Sequence, residues 1–257
     1  MDVTPDFLRR LAAEAARETL PRFRQPHDVA NKVAGGFDPV TEADREAERA
    51  IRRLIGAEFP DHGILGEEFG AENLPNRHCW VIDPIDGTRA FISGLPLWGT
   101  LVGLLEDGDA IAGMMSQPFT GELFYATGGK ARYEGPGGSR DLKVRRTTEL
   151  RHATLCTTTP SLFLDDARTS YDMLEAAVQL ARYGTDCYAY CMLAAGQVDL
   201  VVETGLQSYD IVALIPIIEA AGGIVTARDG GPAEAGGFVV AAATTQLHAA
   251  ALDLLNG

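Results

Sequence analysis

The spacing of apolar residues changes along the chain, and each change predicts a different kind of element. Near the start, Phe7, Leu8, Leu11, Ala15 and Leu20 fall close to helical spacing, with arginine and glutamate on the other face. This predicts an amphipathic helix over 6–20, ended by Pro21. Residues 21–40, with Pro26, Gly35, Gly36 and Pro39, read as irregular, and Lys32 lies in this loop, where a lysine is usually just solvated but could close over a metal site. Thr41-Glu42-Ala43-Asp44 opens a second helix, with Thr41 suited to the N-cap and Asp44 resembling its capping-box partner. Ala47, Ala50, Ile51, Leu54 and Ile55 form the buried face of that helix, and Pro60 lies just beyond its end. A short strand, Gly63-Ile64-Leu65-Gly66, then runs into Glu67-Glu68, and a second apolar run, Trp80-Val81-Ile82, drives straight into Asp83.

After residue 96 the pattern turns to strands. Segments 97–105, 110–117, 122–126 and 130–133 are separated by turns at Asp107-Gly108, Pro118–Thr120 and Gly128-Gly129, which reads as an antiparallel meander. Residues 134–140 are the most linker-like stretch and place a boundary there, between an α+β lobe over 1–138 and an α/β lobe over 139–257. The second half alternates. Strands are predicted at 153–157, 198–203, 224–226 and 238–243. Helices are predicted at 166–181 (Met173, Leu174, Ala177 and Leu180 inward), 188–195, 210–221 with a bend at Pro216, and 245–255. Such alternation predicts helices covering both faces of a sheet.

Composition narrows the function. The 257 residues are 46% hydrophobic and 23% charged, ordinary for a soluble globular protein. The net charge of −14 and the lack of a long basic run argue against a nucleic-acid partner. No apolar run approaches a membrane span, because Pro216 and Glu219 interrupt the longest. An acidic protein that handles phosphate needs a local positive source, which points to bound metal. Cys79, Cys156, Cys187 and Cys191 form no Cys-x-x-Cys pair and no zinc spacing with the histidines. They read as buried small side chains of a reduced, cytoplasmic protein, and the acidic N-terminus has no signal-like run.

The densest chemistry lies in residues 80–94. An apolar strand delivers Asp83 and Asp86 to its carboxyl end, Pro84 interrupts its hydrogen bonding, and Gly87-Thr88 closes the stretch. Mg²⁺ prefers oxygen ligands, few of them from protein and the rest from water and substrate phosphate. Gly87 would allow close backbone approach to a ligand, and the Thr88 hydroxyl could bond a water or phosphate oxygen. Asp-Pro and Asp-Gly are also common in solvated turns, so the stretch by itself leaves both readings open. The Asp-x-Asp-x-Thr plan of haloacid-dehalogenase-type phosphatases fits poorly, and an EF-hand would need a Glu where Gly94 stands. Two later acids stand out. Glu203 ends the apolar run Leu200-Val201-Val202, and Asp210 starts a helix, where an acid also suits the helix dipole.

Four pieces in order resemble the inositol monophosphatase-like family of Mg²⁺-dependent, Li⁺-sensitive phosphomonoesterases. They are Asp38-Pro39-Val40-Thr41-Glu42-Ala43-Asp44, Gly66-Glu67-Glu68, residues 80–88, and Tyr209-Asp210 followed by Ala220-Ala221-Gly222-Gly223. The resemblance runs from about residue 6 to the end. It implies a layered α-β-α-β-α sandwich, a homodimer, and Mg²⁺ as cofactor, two or three ions per site. By position it implies that Glu67, Asp83 and the Ile85 carbonyl hold one metal, and Asp83, Asp86 and Asp210 a second. Gly87 and Thr88 would contact the phosphate, Glu67 and Thr88 would orient the attacking water, and Asp44 would support Thr88.

The substrate is a small phosphorylated metabolite on this reading. Arg89-Ala90-Phe91 after Asp-Gly-Thr, Thr185-Asp186-Cys187-Tyr188-Ala189-Tyr190, and Tyr209 before Asp210 look like the histidinol-phosphate phosphatase branch, serving histidine biosynthesis. Histidinol phosphate carries an ammonium and an imidazole, which Asp186 and Glu203 could pair with if they face the pocket. Arg89 is a candidate on the phosphate side or at a dimer interface. The alternatives are a phosphatase for inositol or other polyol phosphates, and a non-catalytic phosphate-binding regulator.

Overall fold

The computed structural model describes residues 3–25, 30–31 and 39–257; Lys32 and Asp38 lie outside the described residues. The first half carries α1 (Pro5–Thr19), the short strands β1 (Ala30–Asn31) and β2 (Pro39–Val40), α2 (Glu42–Glu58), β3 (Gly63–Gly66), β4 (Gly70–Glu72), β5 (His78–Asp86), α3 (Thr88–Ile92), β6 (Gly99–Glu106), β7 (Asp109–Gln117), β8 (Glu122–Thr127), β9 (Lys130–Gly135) and β10 (Gly138–Asp141). The second carries β11 (Thr154–Thr157), α4 (Asp165–Ala177), β12 (Leu180–Tyr183), α5 (Asp186–Ala194), β13 (Leu200–Leu206), α6 (Ser208–Ile211), α7 (Leu214–Ala220), β14 (Ile224–Ala227), β15 (Gly237–Ala242) and α8 (Thr245–Asn256). One sheet has eight strands in the order β10-β9-β8-β7-β6-β5-β3-β4, and the other has five in the order β12-β11-β13-β15-β14.

Strand alternation sorts the side chains into layers. Trp80, Ile82, Val102, Leu104 and Met114 leave one face of the eight-stranded sheet and pack on Phe7, Leu8 and Leu11 of α1 and Ile51 and Ile55 of α2. Leu101, Met115 and Phe124 leave the opposite face and meet α5, α6 and α7, which also cover Cys156, Val201, Val239 and Ala241 of the smaller sheet. The other face of that sheet, with Leu155, Leu200, Val202 and Val240, is closed by Tyr171 and Leu174 of α4 and Leu247 and Leu255 of α8. The result is the α-β-α-β-α sandwich that the resemblance implies.

Three expectations change. Residues 134–140 do not form a linker. They make the turn and flanks of the β9–β10 hairpin, with Ser139 opposite Glu134, and the larger sheet runs on to Asp141. A boundary at 138/139 therefore cuts a strand, and the chain changes sheets between Asp141 and Thr154. The helix expected over 166–181 stops at Ala177. Leu180 belongs to edge strand β12, which pairs in parallel with β11, and both Leu180 and Met173 are exposed. Apolar spacing could not separate the end of that helix from a short edge strand that follows it at once.

The helix expected over 210–221 is two helices, α6 and α7, parted at Val212 and Ala213. Pro216 has no N–H for the Val212 carbonyl and its ring crowds that group, so the interruption falls four residues before the proline. The break presses on Gly103 and Gly113, which face each other across β6 and β7. A Cβ on Gly113 would lie 2.1 Å from the Ala213 oxygen, and one on Gly103 would lie 2.8 Å from the Ala213 nitrogen. Only glycine permits this approach, which seats α6 and its Asp210 against β5 and β6.

Candidate active site

Residues three apart on a regular strand point to opposite faces. Asp83 and Asp86 share a face because β5 is irregular between them: Asp83 pairs with Leu101, but Asp86 pairs with Gly99, a slip of one residue. Pro84, with no N–H to place in the ladder, sits inside this bulge. The bulge is pinned by the Thr100 hydroxyl, which donates to the Pro84 carbonyl at 2.8 Å, and by the Ile85 N–H, which donates to Asp83 Oδ1 at 3.0 Å. Asp210 arrives from α6, where its Oδ2 accepts the Gln207 N–H at 2.7 Å. Asp83, Asp86 and Asp210 each then offer an oxygen within 4.8 Å of the others.

Such proximity of like charges is unfavourable without a cation. Burial, and then the charges of Glu67, Asp86 and Asp210, push the Asp83 carboxyl well above the ordinary carboxylate range. Burial, Asp186 and Asp210 do the same to Asp86. Glu67 stands at the carboxyl end of β3, parallel to β5, with its N–H on the Ile82 carbonyl at 3.1 Å and its side chain hydrogen-bonded to Asp83. Clustered carboxylates are acceptor-only when ionised, which is the donor chemistry of a hard divalent cation, so this set fits a metal.

Gly87, at φ +83°, turns the chain out of β5 and caps α3, and the Thr88 hydroxyl donates to the Ile85 carbonyl at 3.0 Å. Asp44 forms the expected capping box: its Oδ2 accepts the Thr41 N–H at 2.8 Å and the Thr41 hydroxyl at 2.6 Å. Its Oδ1 is buried with no hydrogen-bond partner among the described residues, and burial raises its pKa to about 6.

Glu67, Asp83, Asp86, Gly87, Thr88 and Asp210 line a cavity of about 680 Å³ together with Arg89, Thr158, Asp186 and Tyr209, and Asp44 lies off its wall. Asp186 opens α5 at φ +41°, and the next N–H, of Cys187, donates to Asp86 Oδ2 at 2.7 Å. Burial raises the Asp186 carboxyl, while a hydrogen bond from Thr158 and the charge of Arg89 oppose the rise.

Glu203 does not face the cavity and corrects the expectation that it binds substrate. It is buried, and its oxygens are taken by the Thr158 N–H at 2.6 Å, the Thr158 hydroxyl at 3.0 Å and the Thr157 hydroxyl at 3.2 Å. Burial pushes its pKa to about 7. The residue that sequence reasoning missed is Thr158, whose hydroxyl also lies 2.8 Å from Asp186 Oδ1. Its signal was a run of hydroxyl residues, Thr157-Thr158-Thr159, at the carboxyl end of β11, where α/β sheets gather ligand-facing groups.

A family model described as the inositol monophosphatase family matches residues 2–256. The chain belongs to the inositol monophosphatase family. It is 40% identical over 257 residues to the chloroplastic bifunctional phosphatase IMPL2 of Arabidopsis thaliana, covering 95% of this chain and 72% of that protein. It is 35% identical to a histidinol-phosphatase of Mycobacterium tuberculosis, covering 98% of each. Among solved structures, an inositol monophosphatase from Zymomonas mobilis superposes with a TM-score of 0.87 at 38% identity, over 98% of this chain and 97% of that one. Inositol monophosphatase family members are metal-dependent phosphatases of small phosphoric monoesters, and the chain is a phosphatase of that kind.

Proposed function

We propose that the chain is an Mg²⁺-dependent phosphatase that hydrolyses L-histidinol phosphate to L-histidinol and phosphate in histidine biosynthesis. The observation that carries the substrate is Asp186, a carboxylate held by Thr158 on the cavity wall beside the acidic cluster. A cationic alcohol is the leaving group that such a wall favours. Glu203 contributes from beneath, by fixing Thr158.

Glu67, Asp83 and the Ile85 carbonyl would hold one cation, and Asp83, Asp86 and Asp210 a second. Bound cations supply neutralisation of phosphoryl charge and acidification of a water. The chain does the rest. The backbone at Gly87 and the Thr88 hydroxyl orient the phosphate, and Glu67 and Thr88 align the water. Asp44 holds Thr41 at the start of α2 while the Thr88 hydroxyl donates to the Ile85 carbonyl, so Asp44 would support Thr88 only indirectly. Arg89 tempers the charge of Asp186 on the substrate side.

The test is kcat/KM for phosphate release from L-histidinol phosphate and from myo-inositol 1-phosphate in Mg²⁺. A hundredfold preference for the first, about 2.7 kcal/mol in transition-state binding, is expected, with Asp186→Asn raising KM for that substrate alone. The reverse preference would favour an inositol phosphatase, the reading that the Zymomonas mobilis likeness supports.

The same proposal includes a homodimer and a reduced, cytoplasmic setting. The exposed apolar side chains Leu180 and Tyr183 on the open edge strand β12, with Leu164 and Met173 also exposed at the start of and along α4, support the first, and four buried free thiols support the second. Sedimentation equilibrium checks the dimer, and a monomer at micromolar concentration would overturn it.

A further inference from the structure

Glu48 lies on α2, one turn beyond Asp44, and its side chain is fully buried. It lines no part of the cavity, yet it reaches the turn that carries Glu67. Glu48 Oε2 accepts the Glu68 N–H at 2.8 Å, and Oε1 accepts the Phe69 N–H at 3.3 Å. Arg52, four residues along the same helix, donates from Nε to Glu48 Oε1 at 2.7 Å, from Nη1 to Glu72 at 3.2 Å, and from Nη2 to the Gly70 carbonyl. The pair therefore grips residues 68–72 from inside while Glu67 itself is tied to Ile82 in β5.

We propose that Glu48, held by Arg52, is a positioning residue that fixes the backbone of the Glu67 turn and thereby sets the cation affinity of the acidic cluster. This rests on the reading of Glu67 as a cation ligand. A carboxylate is suited to the place because it accepts at both oxygens and offers no donor; an amide would set its NH₂ against either a backbone N–H or the guanidinium. Arg52 answers the buried charge and presents a fork that spans carboxylate and backbone together. The contact is also the reason for Gly66: an added Cβ would lie 1.9 Å from Glu48 Oε1. Glu67 precedes the two N–H groups that Glu48 holds, so releasing them frees the ligand's own backbone on its carboxyl side. Its amino side stays tied to Ile82. The expected loss is thus of orientation, not of the strand.

The experiment compares wild type, Glu48→Gln and Arg52→Gln as full-length proteins stripped with chelator. Mn²⁺ affinity is read by calorimetry, and Tm is read in chelator. The expected result is a tenfold or greater rise in Mn²⁺ Kd for Glu48→Gln, and a smaller rise for Arg52→Gln, in proteins that still unfold cooperatively. A purely structural anchor would lower the chelated Tm and leave Kd unchanged, which would overturn the proposal. If Glu48→Gln does not fold, Arg52→Gln decides the matter by the same Kd comparison, with Arg52→Lys expected to restore part of the affinity. Failure of wild type to bind Mn²⁺ would instead overturn the reading of the cluster as a metal site.

Discussion

The acidic cluster makes the protein's stability depend on what neutralises it, and Asp86→Asn isolates that dependence. Asn keeps the shape of the side chain and an oxygen to accept the Cys187 N–H that now donates to Asp86 Oδ2 at 2.7 Å. It removes one charge from a set whose oxygens lie within 4.8 Å. At that distance and an effective dielectric of about 20, each pair of full charges repels by about 3.5 kcal/mol. Proton uptake relieves part of this, because burial and the neighbouring carboxylates raise the Asp86 pKa.

The sign follows from that direction. A raised folded-state pKa means that the neutral form is the one folding tolerates. The penalty is absent below the unfolded value of 3.8 and grows as pH rises toward the folded value. In chelator at pH 8, Asp86→Asn should therefore be more stable than wild type by roughly 2 kcal/mol, which is about 4–8 °C in Tm for a chain of this size. The advantage should shrink as pH falls toward 4, and Mg²⁺ should reverse the order by stabilising wild type more. Phosphatase activity should be lost in the same variant. Thermal melts across pH, with chelator and with Mg²⁺, provide the check. An Asp86→Asn protein no more stable than wild type at pH 8 in chelator would refute the account of the cluster as mutually repelling.

Other substitutions probe the supports. Gly113→Ala places a methyl carbon against the Ala213 carbonyl, backbone against backbone, and should destabilise by about 3 kcal/mol or more; chemical denaturation measures it, and a loss under 1 kcal/mol would contradict the close approach. Gly87→Ala forces an L side chain to φ +83° and sets its Cβ 2.9 Å from the Leu97 carbonyl. It should cost at least about 1–2 kcal/mol and lower kcat a hundredfold or more, read by steady-state kinetics. For Glu203, whose pKa rises from 4.5 to about 7, the stabilising neutral form is fully present below about 4.5 and lost as pH climbs through about 7. Wild type should lose roughly 3 kcal/mol more than Glu203→Gln over that interval, and parallel stability–pH curves would remove the assignment.

Chain order and chemistry were legible in the residues themselves. The helical spacing of Phe7, Leu8 and Leu11 and the alternation through the meander are local consequences of which face must be buried, so α1 and β6–β9 could be read directly. The acids that end apolar runs, Glu67, Asp83 and Glu203, were visible for the same reason. What local pattern could not supply was where those runs converge. Asp83 and Asp86 share a face only through a bulge whose slip appears in pairing with β6. Asp210 joins them only because Pro216 breaks the helix at Val212 and two glycines of neighbouring strands admit the break. Glu203 looked like a pocket acid along the chain, but the parallel pairing of β11 with β13 puts Thr157 and Thr158 over it. Side-chain type and spacing are properties of the chain. Which side chain faces solvent at the end of a strand is a property of the neighbouring strand, and that neighbour is chosen only when the sheet assembles.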